Sequence, residues 1–304
     1  MAGGVITTGS HPKLLWPGVH DTWGQVYDAH EKEYPDLYDE EDADQAYIQD
    51  VQITGFSMAP IKPQGQQLSY DAEVQGPVTT YTPIAYALGY IVTYEELRDN
   101  LYEIVAKRRA EANAFSINTT IETVCAFLYN NAFSSTYFTT ADGVALISPS
   151  HTNTTGGTYS NELVPSADLS ETALEDLCTM IMQVQNDTGE PIKLMQQSLH
   201  IPPQEWWNAN RILKSVLQSD TANNNINVLK ATNAIPKGIK LNHYFTSPSY
   251  WFLRTNCPRG MQMFWRDRPM FDKDNDFGTK NALAATYMRF VVGCTDPRGL
   301  FGSQ

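Results

Sequence analysis

The sequence predicts an α+β protein, and three stretches carry that reading. Residues 94–131 bear helical apolar stripes with no proline among them. Residues 51–74 alternate apolar and polar on both sides of a Pro60, Pro63, Gly65 cluster, the pattern of a long β-hairpin. From residue 168 onward, helical stripes and β-branched runs succeed one another in a compact order.

Composition narrows the function. The chain has 304 residues, enough for one large core or two modest ones. Apolar residues make up 42%, which excludes disorder throughout. Charged residues make up 18%, below the roughly 25% of ordinary soluble domains, and with 16 Tyr and 6 Trp this points to a surface that something covers. A net charge of −13 argues against a nucleic-acid reader that works by neutralising phosphates. Cys125, Cys178, Cys257 and Cys294 form no Cys-x-x-Cys pair, so reduced, mostly buried thiols of a cytosolic product are expected. No signal peptide opens the chain and no window reads as a membrane span. The Asn-x-Ser/Thr matches at Asn118, Asn153 and Asn186 are chance matches for a chain that is never secreted.

Residues 1–30 show no period, and nothing there reads as a core element. Trp16, Trp23 and Tyr27 must therefore dock on the body of the chain or on a neighbour. Residues 31–50 concentrate the negative charge: Glu31, Glu33, Asp36, Asp39, Glu40, Glu41, Asp42, Asp44 and Asp50 face only Lys32. They read as a solvated acidic arm or as a segment meeting a basic face on another subunit. The hairpin pairs VQITGF with QLSYDAEV, and its polar faces suit an arm lying over a partner better than a free element. Lys62 stands at its tip, as an edge-blunting lysine or an inter-chain contact. The later half of GPVTTYTPIAYALGYIVT reads as a buried strand.

Thr93 and Glu96 form a capping box that opens the long helix. Its first stripe is Leu97, Leu101, Ile104 and Val105, and Phe115, Ile121, Val124, Cys125 and Leu128 continue the apolar coverage. Lys107, Arg108 and Arg109 are a basic cluster on this helix, solvated or in contact with an acidic arm such as 31–50. Val144–Ile147 reads as a strand before a polar loop. Asp168 and Glu171 cap a helix with the stripe Leu174, Leu177, Cys178, Ile181 and Val184, which ends before Gly189. PIKLMQQSLHIPP is a strand closed by prolines, and Pro203 opens the helix EWWNANRILKSVL. LNHYFTSPSYWFLR is a pair of β segments around a Ser-Pro turn, and MQMFWRDRPMF is a strand. DKDNDFGTK is a turn, and ALAATYMRFVVGC is the final strand.

No residue set supports catalysis. There is no Gly-x-Ser-x-Gly elbow, and no two histidines share a helical face. His151, in SPSHTNTT, reads as an exposed loop histidine. Asp272–Gly278 begins like a calcium loop, but Phe277 stands where Gly is required and Leu283 where a bidentate Glu is required, so a tight acidic turn is expected. No metal or cofactor is expected.

The order of elements, with LHIPPQEWWNANRILKS and FWRDRPMFDKDNDFGTKNALAATYMRFVVGCTDPRGLFGS, resembles the major capsid protein family of tailed bacteriophages, a fold shared with herpesvirus capsid floors. The resemblance implies that fold's parts: an N-arm over 1–45 and an extended β-hairpin, the E-loop, over 46–80. It further implies a peripheral domain with a long spine helix over 81–165 and 265–304, and an axial domain over 166–264. It implies a non-enzymatic virion protein that forms pentamers and hexamers, closing into an icosahedral head around double-stranded DNA without reading its sequence. Portal, scaffolding and decoration proteins would be its other partners, and assembly would take place in the host cytoplasm without a membrane. The chain begins almost at the arm, so a scaffold is expected to be a separate protein. Trp16, Trp23, Asp39, Glu40, Glu41, Lys62, Lys107, Arg108 and Arg109 are the candidate inter-subunit contacts. The alternatives are a decoration or tail component, or an α/β enzyme of unknown type.

Overall fold

A computed structural model describes residues 17–98, 102–217, 225–276, 278–279 and 281–304. Trp16 lies outside them, as do the side chains of Leu97, Leu101, Ile104 and Val105.

Residues 17–53 hold more secondary structure than their sequence suggests. Helix α1 spans Pro17–Ala29 and helix α2 Tyr34–Leu37. Strand β1 covers Asp39–Asp42, β2 Ile48–Ile53, β3 Gln75–Tyr81 and β4 Ile84–Val92. Helices α3 (Tyr94–Arg98) and α4 (Tyr102–Asn130) follow, with the capping box formed: Thr93 Oγ1 accepts from the Glu96 amide, and Glu96 accepts from the Thr93 amide.

The short strands β5 (His151–Thr152) and β6 (Thr158–Tyr159) make a small hairpin. Helix α5 (Glu171–Met182) precedes β7 (Gln196–Ile201), and a 3-10 turn at Pro203–Glu205 leads into α6 (Trp206–Lys214). Then come α7 (Val228–Ala231), β8 (Ile239–Leu241), β9 (Trp251–Thr255), β10 (Met261–Asn275), β11 (Ala282–Cys294) and β12 (Leu300–Ser303).

Two four-stranded sheets organise the molecule. One runs β1-β10-β11-β4, with β1 parallel to β10 and the other pairs antiparallel; the second runs β12-β9-β7-β8. Strand β9 explains how both cores close. Successive side chains of a strand point to opposite faces. Phe252 joins the core built on α4, with Ile121, Cys125, Tyr129, Trp265 and Phe290. Its neighbours Trp251 and Leu253 join the other core, with Leu174, Leu177, Ile181, Leu199 and Phe301. All five residues of β9 are buried, as expected of a strand covered on both faces.

The backbones at the starts of β10 and β12 cross closely. A Cβ on Gly299 would lie 2.5 Å from the Gly260 Cα, and one on Gly260 would lie 2.7 Å from the Gly299 Cα. Backbone cannot give way as a side-chain tip can, so Gly299→Ala is expected to lower stability by about 1–3 kcal/mol through overpacking. The check is a urea midpoint that falls at an unchanged slope; an unmoved midpoint would refute the close crossing.

Several expectations require correction. Residues 17–30 supply a core element: α1 lies along α4, and Trp23 is buried, its Nε1 donating to Asn113 Oδ1 at 3.0 Å while its ring stacks on Tyr27 and Phe271. The acidic segment is not a free solvated arm, because β1 adds to the first sheet beside β10. In the hairpin, β2 pairs with β3, so the second strand begins at Gln75, and QLSYDAEV forms no strand, reaching across only through Val74 to Thr54 and Asp71 to Ser57. Strand β4 is a sheet edge and mostly exposed, not buried.

Val144–Ile147 is not a strand but irregular chain, with Ala145, Leu146 and Ile147 buried and the Ile147 amide bonded to the Ala132 carbonyl. Ser170, not Asp168, caps α5, its Oγ accepting from the Ala173 amide. Phe115 is exposed, whereas Ile121, Cys125 and Leu128 are buried as expected. Asp272–Asn275 lie within β10, so the acidic turn starts only at Asp276, which caps Gly278 and Thr279. The last strand is β12, which pairs with β9 in the second sheet.

Candidate assembly surfaces

The hairpin is the most exposed part of the described chain. Beyond β2 and β3, the Thr54 amide still reaches the Val74 carbonyl at 3.0 Å, and Ser57 bonds the Asp71 carboxylate. Those Ser57 bonds hold the Asp71 carboxyl below the ordinary value. Residues 55–74 are all exposed. Among them Phe56, Met58, Ile61, Leu68 and Tyr70 are large and apolar, with Ile61 at 94% and Tyr70 at 90% exposure. The polar pattern in the sequence concealed this set. So much apolar surface on a thin two-stranded ribbon marks a contact site. Lys62 lies exposed in the same loop.

A second open surface lies on the first sheet. Ala85, Ala87, Gly89 and Ile91 of β4 are exposed, and Gly89 registers against exposed Ala285 of β11. Small side chains line β4 here, opposite Leu283, Ala285, Tyr287 and Arg289 of β11. On α4, exposed Phe115 and Phe127 add apolar surface, the latter packed edge-on against Tyr137.

The candidate contact residues divide. Trp23 is spent inside the subunit. Asp39 pairs with Arg254 at 2.6 Å, and Glu40 accepts from Trp265 Nε1 at 2.9 Å and lies 3.6 Å from Arg268. Asp36, Asp42 and Asp50 meet Lys240, Arg268 and Arg259, each at 2.9 Å. The basic face for the acidic segment is therefore on the same chain, and it is not the cluster on α4. The exposed pairs each contribute only about 0–1 kcal/mol, whereas the Arg254 that meets Asp39 is buried; together Asp39, Glu40 and Asp42 hold β1 beside β10. Arg109 instead grips Glu96 through two hydrogen bonds at 2.9 and 3.0 Å, which hold that carboxyl below its usual range. Glu41, Lys62, Lys107 and Arg108 have no ion pair among the described residues and stay open to a neighbour.

A buried polar network, unforeseen from the sequence, lies beneath the hairpin's base. His151 is fully buried, correcting the exposed loop reading: Nδ1 faces Asp142 at 2.8 Å, Nε2 faces Asn161 Oδ1 at 3.1 Å, and the ring stacks on Tyr159. Burial alone would raise the Asp142 carboxyl, but bonds from His151 and Thr140 outweigh it and hold it at about 2. Arg298, 3% exposed, lies over the Tyr159 ring at 4.2 Å and bonds Asp187 at 2.8 Å and Asn153 at 2.7 Å. Gln52 and Pro77 of the hairpin strands line the same small cleft, which holds a volume of about 10 Å³, too little for a substrate.

Among the described residues no three His, Cys, Asp or Glu side chains are placed to hold a metal ion, and no helix is long and apolar enough to cross a membrane. The four cysteines are buried and unpaired. Burial drives the Cys257 and Cys294 thiols well above their ordinary value, which removes them as nucleophiles.

Comparison with known proteins agrees with a shell subunit. A family model described as phage capsid protein matches residues 77–302. No curated protein matches the sequence. Among solved structures, the virus-like particle from Pyrococcus furiosus superposes with a TM-score of 0.54 at 10% identity, covering 94% of this chain and 98% of that one. The procapsid of bacteriophage JBD30 gives 0.55 at 11% identity, covering 98% and 76%. Mycobacterium phage Patience gives 0.53 at 12% identity, covering 98% and 88%. With the family match spanning most of the sequence and the fold shared with these particles, the chain belongs to the phage capsid protein family and is a capsid protein that forms the head shell.

Proposed function

We propose that copies of this chain assemble into pentamers and hexamers that close into an icosahedral head around double-stranded DNA, each subunit laying its hairpin on the next. The exposure of Phe56, Met58, Ile61, Leu68 and Tyr70 carries this reading, because one subunit offers them nothing to bury against. The exposed small residues Ala85, Ala87, Gly89 and Ala285 offer a fitting seat, and Glu41, Lys62, Lys107 and Arg108 are further contacts with a neighbour.

The parts follow the same proposal: an arm to residue 45, the hairpin over 46–80, a peripheral unit of 81–165 and 265–304, and an axial unit of 166–264 to which β12 lends its strand. The net charge of −13 keeps an inner wall from binding phosphates, so DNA is enclosed and not read. The role is structural and without catalysis; portal, scaffolding and decoration proteins are its further partners, and assembly takes place in the host cytoplasm.

Electron microscopy of the purified full chain tests the proposal. Closed polyhedral shells or five- and six-membered rings are expected. A monodisperse monomer at high protein concentration and in the presence of crowding agents would overturn it.

A further inference from the structure

Glu122 is 1% exposed at the middle of α4, beneath the segment that joins α1 to β1. Its Oε1 accepts from the Glu33 amide at 2.8 Å, and the Tyr34 amide also donates to the carboxylate, so the side chain holds the start of α2. Its Oε2 is buried and meets no hydrogen-bond donor among the described residues. An ionised carboxylate with one oxygen unsolvated is costly, whereas a carboxylic acid at the same place is tolerated.

The Glu33 and Tyr34 amides favour the ionised form, but burial outweighs them. Lys32 also favours the charge, though only weakly, and its amine is already over the Tyr27 ring at 4.4 Å. Glu33 lies against Glu122 and repels it, with its own carboxylate turned to the His243 ring and amide. Tyr27 of α1, Tyr34 of α2, Glu40 of β1, Cys125 one turn along α4 and Tyr244 beside His243 are the further titratable neighbours.

We propose that Glu122 is a proton-operated latch for the arm: neutral, it lets residues 33–42 lie tightly against α4; ionised, it weakens their hold. The segment it controls is the one that places β1 in the sheet and, through Tyr38 and Leu37, bonds the α4 residues Cys125 and Tyr129. A shell built from such subunits loosens its arms as pH rises.

The sign follows from linkage. Burial, the largest cause, raises the Glu122 carboxyl from 4.5 to about 7 in the docked state. A group whose docked value is raised contributes docking stability that is complete below its undocked value and is lost as pH rises through the docked one. Between pH 5.5 and 8.5 these values weaken docking roughly thirtyfold.

Hydrogen exchange of the full chain reads this directly. Protection of the amides of Tyr34 and residues 36–42, corrected for intrinsic rates and referred to the β9 peptide, is expected to fall about thirtyfold from pH 5.5 to 8.5. Glu122→Gln keeps the acceptor for the Glu33 amide but cannot ionise, and should flatten the profile. His243→Asn removes the imidazole that faces Glu33 and should keep the fall. A flat profile for the unmodified chain, a full fall in Glu122→Gln, or its loss in His243→Asn would each overturn the proposal. Should the Glu122→Gln chain fail to fold, the unmodified and His243→Asn profiles still decide.

Discussion

Replacing residues 56–72 with a two-residue Asn-Gly turn is expected to abolish shell formation while leaving the subunit folded. The deletion spares Thr54 and Val74, whose mutual hydrogen bonds close the ladder above β2 and β3, and an Asn-Gly turn matches the twist of the flanking strands. The segment removed is exposed throughout and lends nothing to the four hydrophobic clusters. The melting temperature of the subunit should therefore stay within a few degrees.

Assembly is another matter. Phe56, Met58, Ile61, Leu68 and Tyr70 would each contribute about 1.5–3 kcal/mol when buried on a neighbour. Their joint loss is comparable to the whole free energy of a nanomolar contact, about 12 kcal/mol. Sedimentation and negative-stain images read the outcome. Shells of normal diameter from the shortened chain would show that the hairpin is not an assembly element. A large fall in melting temperature would show that it belongs to the subunit's own core.

What the sequence reveals is set by how far apart the interacting residues lie. The capping box at Thr93 and Glu96 spans three residues and formed as read. So did the stripe of α5, the proline-closed β7 and the Trp-bearing α6, each specified by a local period or a local cap. The α1 helix has a Gly, a Thr and two aromatics in its middle and no clear stripe. Its stability comes from Trp23 meeting Asn113, 90 residues on. Strand β1 is four consecutive acids, a poor strand by propensity, held by Arg254 and Arg268 more than 200 residues away. His151 looked like loop chemistry because its partners Asp142 and Asn161 are polar residues in a polar stretch; only the fold buries them together. The hairpin was legible as a hairpin, but its polar residues drew attention from the apolar ones between them. The same separation hid Glu122, an apparently ordinary polar position until α2 was laid across it.

Arg298→Met is expected to destabilise the subunit by about 3–5 kcal/mol, the range for removing one partner of a buried ion pair. Methionine keeps most of the volume, so the cost is electrostatic and not a cavity. The guanidinium bonds Asp187 at 2.8 Å, Asn153 at 2.7 Å and the Gln185 carbonyl at 3.2 Å, and it lies 3.4 Å from Asp296. Three loops thus meet on one side chain: the turn between β5 and β6, the loop that follows α5, and the segment leading into β12. Without it, Asp187 is a buried carboxylate with its cation gone, and Tyr159 loses the charge above its ring. The cleft beneath this cluster is lined by Gln52 and Pro77, so the same change should also loosen the hairpin's base. Thermal or urea unfolding of the single variant measures the loss. The double variant Arg298→Met with Asp187→Asn identifies its cause: if an unpaired buried charge is responsible, the second change recovers part of the stability, and the cycle gives a coupling of at least 1 kcal/mol. Additive losses would mean that Arg298 acts by packing on Tyr159 and not as the counter-charge of Asp187.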